Sequence, residues 1–327
     1  LLALGSLLLA DSAWGEDAWP GLWTNPDNPD LPAEAGIQGE YLGQIAGGQS
    51  SGGQGSGGGD LGAQVICLGP GAFQAVLYPG GLPGKGWDGQ QRILLDGRMQ
   101  GESVAFTAAE GNRKYLAKDP ADFSATRVFP PPGQRACRAS IQGAVMQGAV
   151  MQGTTDQGQA FSLKRIVRTS PSMGAKPPEN AVVLFDGSGT EHFRGGRLDE
   201  ATGWLNTDGR DILTKDRFQN YTMHLEFLLP FRPDARGQGR GNSGFYQVDH
   251  YEVQILDSFG LEGVDNECGG VYKSAGPAVN MCLPPLTWQT YDVEFTNAVR
   301  DENGQKVKNA LISMSIAAPV VPSINSL

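Results

Sequence analysis

The stretch TMHLEFLLPF, residues 222–231, decides the fold class because its side chains alternate between two faces. One face carries Met223, Leu225, Phe227 and Leu229, and the other carries His224, Glu226 and Leu228. Successive side chains of a strand point to opposite sides of a sheet, so this pattern predicts a strand with one buried face. Residues 250–260 and 287–295 repeat the alternation, and residues 181–187 predict a buried strand ending at an Asp-Gly turn. Such strands predict an antiparallel two-sheet sandwich in an all-β protein.

The composition favours the same fold class and excludes one class of partner. The 327 residues include 47 glycines and 21 prolines, which indicates many turns between short strands. The formal net charge is −10, and no dense block of lysine or arginine occurs. A protein that binds duplex nucleic acid needs a basic face to displace counterions, so we expect no nucleic-acid partner.

The first half of the chain predicts a separate, small antiparallel β domain at residues 62–168, where short strand-like runs alternate with glycine-rich turns. Residues 16–61 contain GGQSSGGQGSGGGD, so we predict an irregular segment with a flexible loop. The tandem GAVMQGAVMQG is too short for a structural repeat and is expected to extend a hairpin. Residues 169–180 are rich in proline and serine and predict a semi-rigid linker before the second domain, residues 181–327.

The chain begins with an apolar run, LLALGSLLLA, followed by small residues around Ala13 and Gly15. This pattern is typical of the end of a secretory signal peptide, which we assign to residues 1–15, with a buried strand or short helix as the alternative. No other stretch reaches the roughly 20 apolar residues that a membrane span needs. We therefore expect a secreted or periplasmic protein.

The chain contains four cysteines: Cys67, Cys137, Cys268 and Cys282. None forms a CxxC pair, which argues against a zinc site. In an exported protein an even number suits disulfides, and one bridge per domain, Cys67–Cys137 and Cys268–Cys282, is the simplest of three pairings. Four unpaired thiols are the alternative.

Six motifs of the second domain carry a resemblance to a known family. They are LFDG, TKDRFQNYTMHLEF, GNSGFY, YEVQILDSFG, CGGVYKSAGPAVN and PPLTWQTYDVEF. In order and spacing, residues 181–314 resemble the 3-keto-disaccharide hydrolase domain family, formerly a domain of unknown function, which has a concanavalin-like jelly-roll fold. The first domain resembles the companion region of planctomycete-type secreted members.

The resemblance implies a hydrolase that acts on 3-keto-glycosides or 3-keto-disaccharides. A ketone at C3 acidifies the proton at C2, so a single base can start an elimination that expels the group at C1, and water then adds to the double bond. Two alternatives stay open because sandwich folds serve as lectins as readily as enzymes. They are a non-catalytic carbohydrate-binding module and an interaction domain of a surface assembly.

The strand YEVQI supplies the candidate catalytic residues. Glu252 and Gln254 are two residues apart and share a strand face, whereas Asp257 joins them only through a bulge. We predict Glu252 as the general base or acid and Asp257 as its partner. The strand loosely resembles the acidic E-x-D-x-x-E strand of laminarinase-type glycosidases. The glutamine in its middle argues against a retaining mechanism with two carboxylates.

Further polar and aromatic residues are expected to bind the substrate. The turn GNSGF offers hydrogen-bond donors and acceptors for hydroxyl groups, and tyrosine rings can stack on sugar faces. The predicted binding residues are Asn242, Ser243, Tyr246, Gln254, Tyr272, Lys273 and Asn280. Weaker candidates are His224, Glu226 and Gln289, while Trp288 is expected in the core.

No resident cofactor follows from the sequence. Glu252, Asp257 and Asp265 are hard oxygen ligands, so a divalent cation is compatible with the site. Their spacing matches no established metal motif, and we predict no defined metal site.

The end of the chain departs from the family pattern. From residue 313 it reads SMSIAAPVVPSINSL, where the family continues with a hairpin and closing strands. Pro319 and Pro322 are hostile to a central strand. We therefore expect a sandwich that is truncated at its C-terminus, with exposed sheet edges and reduced stability or activity.

Overall fold

The computed structural model describes residues 2–8, 21–47, 59–142 and 148–316, and the described chain is nearly all-β, as predicted. The first half contains helix α1 (Ala33–Ile37) and strands β1 (Leu2–Leu8), β2 (Gly39–Ile45), β3 (Asp60–Gly69), β4 (Ala72–Pro79), β5 (Ile93–Gln100), β6 (Ser103–Ala108), β7 (Lys114–Tyr115), β8 (Phe123–Ser124), β9 (Arg138–Gln142), β10 (Val150–Thr154) and β11 (Ala160–Ile166).

The described part of the second half contains twelve strands and one 3-10 turn, Gly237–Gly239. Its strands are β12 (Val182–Phe185), β13 (Phe193–Arg194), β14 (Arg197–Asp199), β15 (Trp204–Asn206), β16 (Leu213–Thr214), β17 (Asn220–Leu228), β18 (Ser243–Gln247), β19 (Tyr251–Ile255), β20 (Trp288–Thr296), β21 (Val299–Arg300), β22 (Lys306–Lys308) and β23 (Leu311–Ile316).

Eight strands of the first half close into a barrel in the order β10-β11-β2-β3-β4-β5-β6-β9. Closure pairs every strand on both sides, which removes the exposed edges of an open sheet. The predicted antiparallel β structure of the first half is therefore present, and it includes strand β2, which precedes residue 62. Strand β2 lies in the segment predicted to be irregular, because its glycines hide the strand pattern while β3 and β11 supply pairing partners on both sides.

Strand β3 is buried on both faces because it serves two cores. Val65 and Cys67 belong to the core inside the barrel, whereas Ile66 and Leu68 belong to a core shared with the second half of the chain. Alternate residues of a strand point to opposite sides, so a continuous apolar run can satisfy both layers. The two halves therefore pack directly against each other along this strand.

The second half is built on a seven-stranded sheet with the order β14-β15-β1-β17-β20-β23, in which β12 also pairs with β1. Strands β17 and β20 are antiparallel, with Met223 opposite Val293 and Leu225 opposite Tyr291. These side chains are buried in one core with Val253 and Ile255 of the hairpin β18–β19. The predicted apolar face is thus inside, and the architecture is consistent with the predicted sandwich.

The N-terminal strand β1 takes a central place in this sheet. It pairs in parallel with β12, β15 and β17, and Leu4 lies opposite Leu225. The sequence interprets this segment as part of a signal peptide, with a strand as the alternative, and the backbone adopts a strand. Cleavage and export stay predictions.

The four cysteines are buried free thiols rather than the two predicted bridges. Cys268 and Cys282 lie within hydrogen-bond reach of each other, and the Cys268 thiol is 3.2 Å from the phenol oxygen of Tyr291. Burial raises the pKa of the Cys282 thiol well above its ordinary value, so it packs as a small neutral group.

Several predictions fall wholly or partly outside the described residues. They concern the glycine-rich loop at 48–58, the start of the tandem repeat at 143–147, and the tail with Pro319 and Pro322. The expected truncation of the sandwich therefore stays a prediction. Within the described ranges, no helix has the length and apolar character needed to cross a membrane.

Candidate functional site

The hairpin β18–β19 carries four of the predicted site residues: Ser243, Tyr246, Glu252 and Gln254. Tyr246 lies opposite Glu252 and Gly244 lies opposite Gln254, so these four residues share one face of the hairpin. The connecting turn holds Val248 and Asp249 in the left-handed region, at φ of +49° and +56°. A β-branched residue rarely adopts this conformation, and such strain is typical of functional segments.

A cleft of about 1000 Å³ lies beside this hairpin. Its apolar part includes Met223, Leu225 and Phe245. Its polar lining comes from the hairpin and from two further segments: Thr207, Arg210, Asp211, Thr214, Arg232, Gln238, Asn242, Ser243, Tyr246, Asp249 and Glu252. An apolar wall with a few convergent polar groups is the usual form of a small-molecule site.

Glu252 is the carboxylate of this cleft whose position is most closely defined. The Tyr246 phenol donates a hydrogen bond of 2.9 Å to Glu252 Oε2, and this bond raises the pKa of Tyr246. Tyr246 is therefore a protonated donor, and it is 53% exposed in the cleft. Gly244 leaves room for the carboxylate, because an added Cβ would lie 2.1 Å from Glu252 Oε1.

Gln254 is buried beside the cleft and does not line it. It is 1% exposed, and its Nε2 donates to Asn242 Oδ1 at 2.8 Å and to the carbonyl of Ser243 at 2.7 Å. Glu252 and Gln254 share a face, as the spacing predicts, but the side-chain amide of Gln254 already donates its hydrogen bonds to protein groups. Its place indicates that Gln254 holds the Asn242 turn, which does line the cleft.

Asp257 lies outside the cleft lining and is 2% exposed. Its Oδ2 accepts a hydrogen bond of 2.8 Å from Arg240 Nε, and its backbone amide donates to the carbonyl of Arg240 at 3.0 Å. A buried carboxylate needs such a partner because desolvation of an unpaired charge is costly. The structure therefore separates the two predicted catalytic carboxylates and pairs Asp257 with a structural cation.

The remaining predicted binding residues also lie outside the described lining of the cleft. Asn280 is buried, and its amide donates to the carbonyls of Ser258 and Leu261 at 2.7 and 3.1 Å. Tyr272 is a backbone neighbour, because its amide donates to the carbonyl of Glu252 at 2.9 Å. Lys273 Nζ lies 5.2 Å from the Tyr272 ring centroid, a cation–π contact. Asn242, Ser243, Tyr246 and Glu252 are the predicted residues that the structure brings together.

The sequence interpretation missed the charged residues that two other segments bring to the cleft. Arg210 and Asp211 come from the turn before β16, and Arg232 lies after β17, with Asp249 in the hairpin turn. Arg210 is paired with Asp208 at 2.5 Å, and Arg232 Nη1 lies 3.4 Å from the carbonyl of Gly239. Turn residues follow no periodic pattern, and the charged run DGRD, residues 208–211, was a signal for Arg210 and Asp211 alone.

The weaker candidates His224 and Glu226 lie on the opposite side of β17 from Met223 and Leu225. His224 Nδ1 is 2.7 Å from Asp292 Oδ1, and its Nε2 is 3.2 Å from Glu226 Oε1. These two bonds raise the pKa of His224 to about 9, so the ring is cationic at neutral pH. The linker covers this cluster, because Ser172 bonds to Asp292 and the Gly174 amide donates to Glu226.

The two remaining weaker predictions are decided by packing. Gln289 is buried, and its Oε1 accepts a hydrogen bond of 3.1 Å from the Leu283 amide. Trp288 is half-buried and makes an edge-to-face contact with Trp204, with ring centroids 5.4 Å apart. Both residues therefore have structural contacts and lie outside the cleft lining.

The donor set does not form a metal centre among the described residues. Glu252 lines the cleft, whereas the Asp257 carboxylate is engaged by Arg240. No group of three or more histidine, cysteine, aspartate or glutamate residues in the described ranges is arranged to hold a metal ion. We therefore assign no step to a cation.

A larger and more open groove, of about 1350 Å³, crosses the outside of the barrel. It is lined by polar residues of β2, β9, β10 and β11, including Gln44, Arg138, Gln152 and Lys164. Among its described lining residues Asp60 is the one acid, and no tyrosine stands beside it. The smaller cleft is the better candidate because it alone combines the Glu252–Tyr246 pair with an apolar wall.

The fold and the cleft describe an all-β domain, consistent with a sandwich, that has a candidate small-molecule site, and this part of the chain matches a known family model. Residues 180–312 match the family model of the 3-keto-alpha-glucoside-1,2-lyase-like domain. This match confirms the resemblance that the motifs of the second domain indicated. A proposed glycosyl hydrolase from Parabacteroides distasonis ATCC 8503 is a similar solved structure, with 26% identity over 46% of this chain and 67% of that chain and a TM-score of 0.42. No curated protein matches the chain.

Proposed function

We propose that the second domain cleaves 3-keto-glycosides by elimination across C1 and C2, followed by addition of water. The observation that carries this proposal is the pair formed by Glu252 and the protonated Tyr246 in a sugar-sized cleft. A 3-keto sugar needs one base for the acidic C2 proton and one acid for the leaving oxygen at C1. The pair supplies one group for each task, and the family match to a 1,2-lyase-like domain supports the same chemistry.

In the proposed reaction Glu252 removes the proton from C2, and the electron pair moves onto the ketone oxygen at C3. The enolate then re-forms the ketone, the C1–O bond breaks, and the Tyr246 phenol protonates the leaving oxygen. Water then adds to the C1–C2 double bond: the Tyr246 phenolate takes a proton from the water, the hydroxyl bonds to C1, and Glu252 returns a proton to C2. The products are the released alcohol and the 3-keto monosaccharide, which balances one water consumed.

The cationic groups of the cleft are suited to the enolate. Arg210 and Arg232 line the same cleft as Glu252, and a fixed positive charge stabilises negative charge that develops on an oxygen. Asn242 and Ser243 offer donors and acceptors to the sugar hydroxyls. Asp257 has no step in this mechanism, because its carboxylate is engaged by Arg240.

The test is turnover of a 3-keto-disaccharide in deuterated water, with the unoxidised disaccharide as the control substrate. Elimination and hydration predict one deuterium at C2 of the released 3-keto sugar, because the proton that Glu252 removes exchanges with the solvent before hydration. The deuterium is detected by NMR and corrected for exchange of that sugar in buffer alone. Hydrolysis without elimination leaves C2 protonated and would overturn the mechanism.

The matched variants are Glu252→Gln and Glu302→Gln. Glu252→Gln is expected to lower kcat about 1000-fold, which is within the range for loss of a general base. Glu302 is exposed in the turn between β21 and β22 and lies outside the described cleft lining, so its substitution should leave kcat unchanged. Binding of the sugar without turnover in the wild type would favour a carbohydrate-binding module, and failure to bind it would favour an interaction domain.

A further inference from the structure

Two arginines connect one wall of the cleft to the barrel. Arg236 and Arg240 flank the 3-10 turn Gly237–Gly239, and the turn is followed by Asn242. Gln238, Gly239, Gly241 and Asn242 line the cleft, so this segment, residues 237–242, is its wall. The side chains of both arginines reach residues of the first domain.

Arg240 is held between the two domains. Its Nε donates to Asp257 Oδ2 at 2.8 Å, and its Nη1 donates to the carbonyl of Cys67, at the end of β3, at 3.1 Å. The residue is 5% exposed, so both bonds lie away from solvent. A planar guanidinium with several donors can satisfy a carboxylate and a carbonyl at the same time.

Arg236 makes an even wider set of contacts with the barrel domain. Its Nη2 donates to the carbonyls of Leu68 at 2.7 Å and Lys118 at 3.1 Å, and its Nε donates to the carbonyl of Ala117 at 3.2 Å. Its guanidinium also lies 5.4 Å from the ring centroid of Phe123. Burial and the nearby Arg240 lower the pKa of Arg236 to about 10, which leaves it charged at neutral pH.

The far end of the wall also has defined contacts with the protein. Gln254 donates to Asn242 Oδ1 at 2.8 Å. Gly241 is in the left-handed region at φ of +57°, and an added Cβ would lie 2.9 Å from Pro230 Cδ. The wall therefore has a defined shape between the barrel carbonyls on one side and the site hairpin on the other.

We propose that the barrel is a structural part of the sugar site and that Arg236 is a positioning residue, which sets the wall through the carbonyls of Leu68, Ala117 and Lys118. This inference rests on the proposed function for its substrate, a 3-keto-disaccharide. It assigns a role to the first domain, and it predicts that sugar affinity depends on a residue that does not line the cleft.

A second contact between the two domains provides a control. It allows an effect on the cleft wall to be distinguished from a general weakening of the interface. Arg127 of the barrel domain donates to Glu262 of the second domain through Nη2 at 2.9 Å and through its backbone amide at 2.7 Å. Neither residue lines the cleft. Loss of the Arg127 side chain weakens the same interface without touching the wall, so Arg127→Met is the matched control for Arg236→Met.

The experiment measures binding of a 3-keto-disaccharide by calorimetry in the full chain carrying Glu252→Gln, which prevents turnover. Arg236→Met is expected to raise Kd at least 10-fold, Arg236→Lys to restore part of the affinity, and Arg127→Met to change Kd less than 2-fold. Equal effects of Arg236→Met and Arg127→Met would overturn the proposal. If Arg236→Met does not fold, an unchanged Kd in Arg236→Lys overturns it and a raised Kd supports it.

Hydrogen–deuterium exchange supplies a readout that needs no substrate. Arg236→Met, or Arg236→Lys in its place, should speed exchange in peptides covering residues 237–247 and leave those covering 220–228 unchanged. Unchanged exchange at 237–247 in a folded variant would overturn the positioning role. If the wild type binds no 3-keto sugar, the proposed function fails, and the exchange result alone still decides whether Arg236 sets the wall.

Discussion

The cleft around Glu252 and the cluster of His224, Glu226 and Asp292 on the outer face of the sheet both contain carboxylates. They differ in how many hydrogen bonds those groups make with other protein groups. In the cluster, His224 bonds to both Asp292 and Glu226, and Ser172 of the linker bonds to the same Asp292. In the cleft, the described hydrogen bond to the Glu252 carboxylate comes from the exposed Tyr246. Polar groups saturated by protein partners hold the fold, whereas groups that face a cleft remain available to a ligand.

The polar groups of the cluster also account for the position of the linker. Strands β17 and β20 place a histidine and two carboxylates on the outer face of the sheet, and an uncovered cluster would be solvated. Residues of the linker add a hydroxyl and a backbone amide to it. We therefore expect substitutions in the cluster to change the free energy of unfolding and substitutions in the cleft to change kcat. Four predictions test this division.

The largest expected effect is a pH dependence of stability that arises in the cluster. Hydrogen bonds from His224 to Asp292 and then to Glu226 raise its pKa from 6.5 to about 9. The folded state therefore holds a proton that the unfolded state releases, so the stabilisation is complete below about pH 6.5 and is lost as the pH rises through about 9. Urea unfolding should show a loss of about 3 kcal/mol over this range.

The control for the pH series is His224→Gln, which removes the titrating group but keeps a polar side chain. Its free energy of unfolding should fall much less between pH 6.5 and 9 than that of the wild type. Parallel curves for the two proteins would show that His224 does not carry the effect.

Gly244→Ala is expected to damage the cleft without removing a functional group. The new Cβ would lie 2.1 Å from Glu252 Oε1, so the carboxylate must change its position. A displacement of about 1 Å costs about 100-fold in rate. Steady-state kinetics with a 3-keto-disaccharide should show this loss in kcat, with little change in melting temperature.

The matched glycine is Gly59, where an added Cβ meets no atom within 4 Å. Gly59→Ala should leave kcat at the wild-type value. Wild-type kcat in Gly244→Ala would mean that the position of Glu252 does not limit the reaction.

Asp292→Asn should have the opposite profile. It removes the charge that pairs with His224 at 2.7 Å while keeping the side-chain shape. The pair is partly buried, so we expect the free energy of unfolding at pH 6.5 to fall by about 2 kcal/mol, below the range for a fully buried pair. Glu294→Gln, on an exposed position of the same strand, is the control and should change stability by less than about 0.5 kcal/mol. A large loss of kcat in folded Asp292→Asn would contradict the division between the two regions.

Tyr246→Phe is expected to give the smallest of the four effects. It removes the phenol that donates to Glu252 but keeps the ring, and the site is exposed, so the fold should be unaffected. We expect kcat to fall about 10-fold, which corresponds to about 1.4 kcal/mol. Kinetics across a series of leaving groups should show the largest loss for the least acidic alcohol, since it depends most on protonation by Tyr246. A uniform loss across the series would assign Tyr246 to orienting Glu252 instead.

Part of the site was predictable from local pattern. Glu252 and Gln254 share a strand face because they are two residues apart, and the turn before them presents Asn242 and Ser243 at the cleft. Which of these groups is accessible to a ligand was not predictable, because the Gln254 side chain is buried and donates a hydrogen bond to Asn242. Asp257 illustrates the same limit, since its place depends on Arg240, which precedes it by 17 residues.

The alternation in residues 222–231 by itself determined the strand, its apolar face and the all-β class, because side-chain direction in a strand depends only on neighbouring residues. The family resemblance likewise rested on motifs that can be read in order along the chain. Only the tertiary structure decided which polar groups face the cleft and which form hydrogen bonds with other protein groups. Arg240 contacts the carbonyl of Cys67, 173 residues away, and contacts at such a separation leave no periodic signal in the sequence. The barrel, the wall and the site hairpin become one site only when packing brings them together.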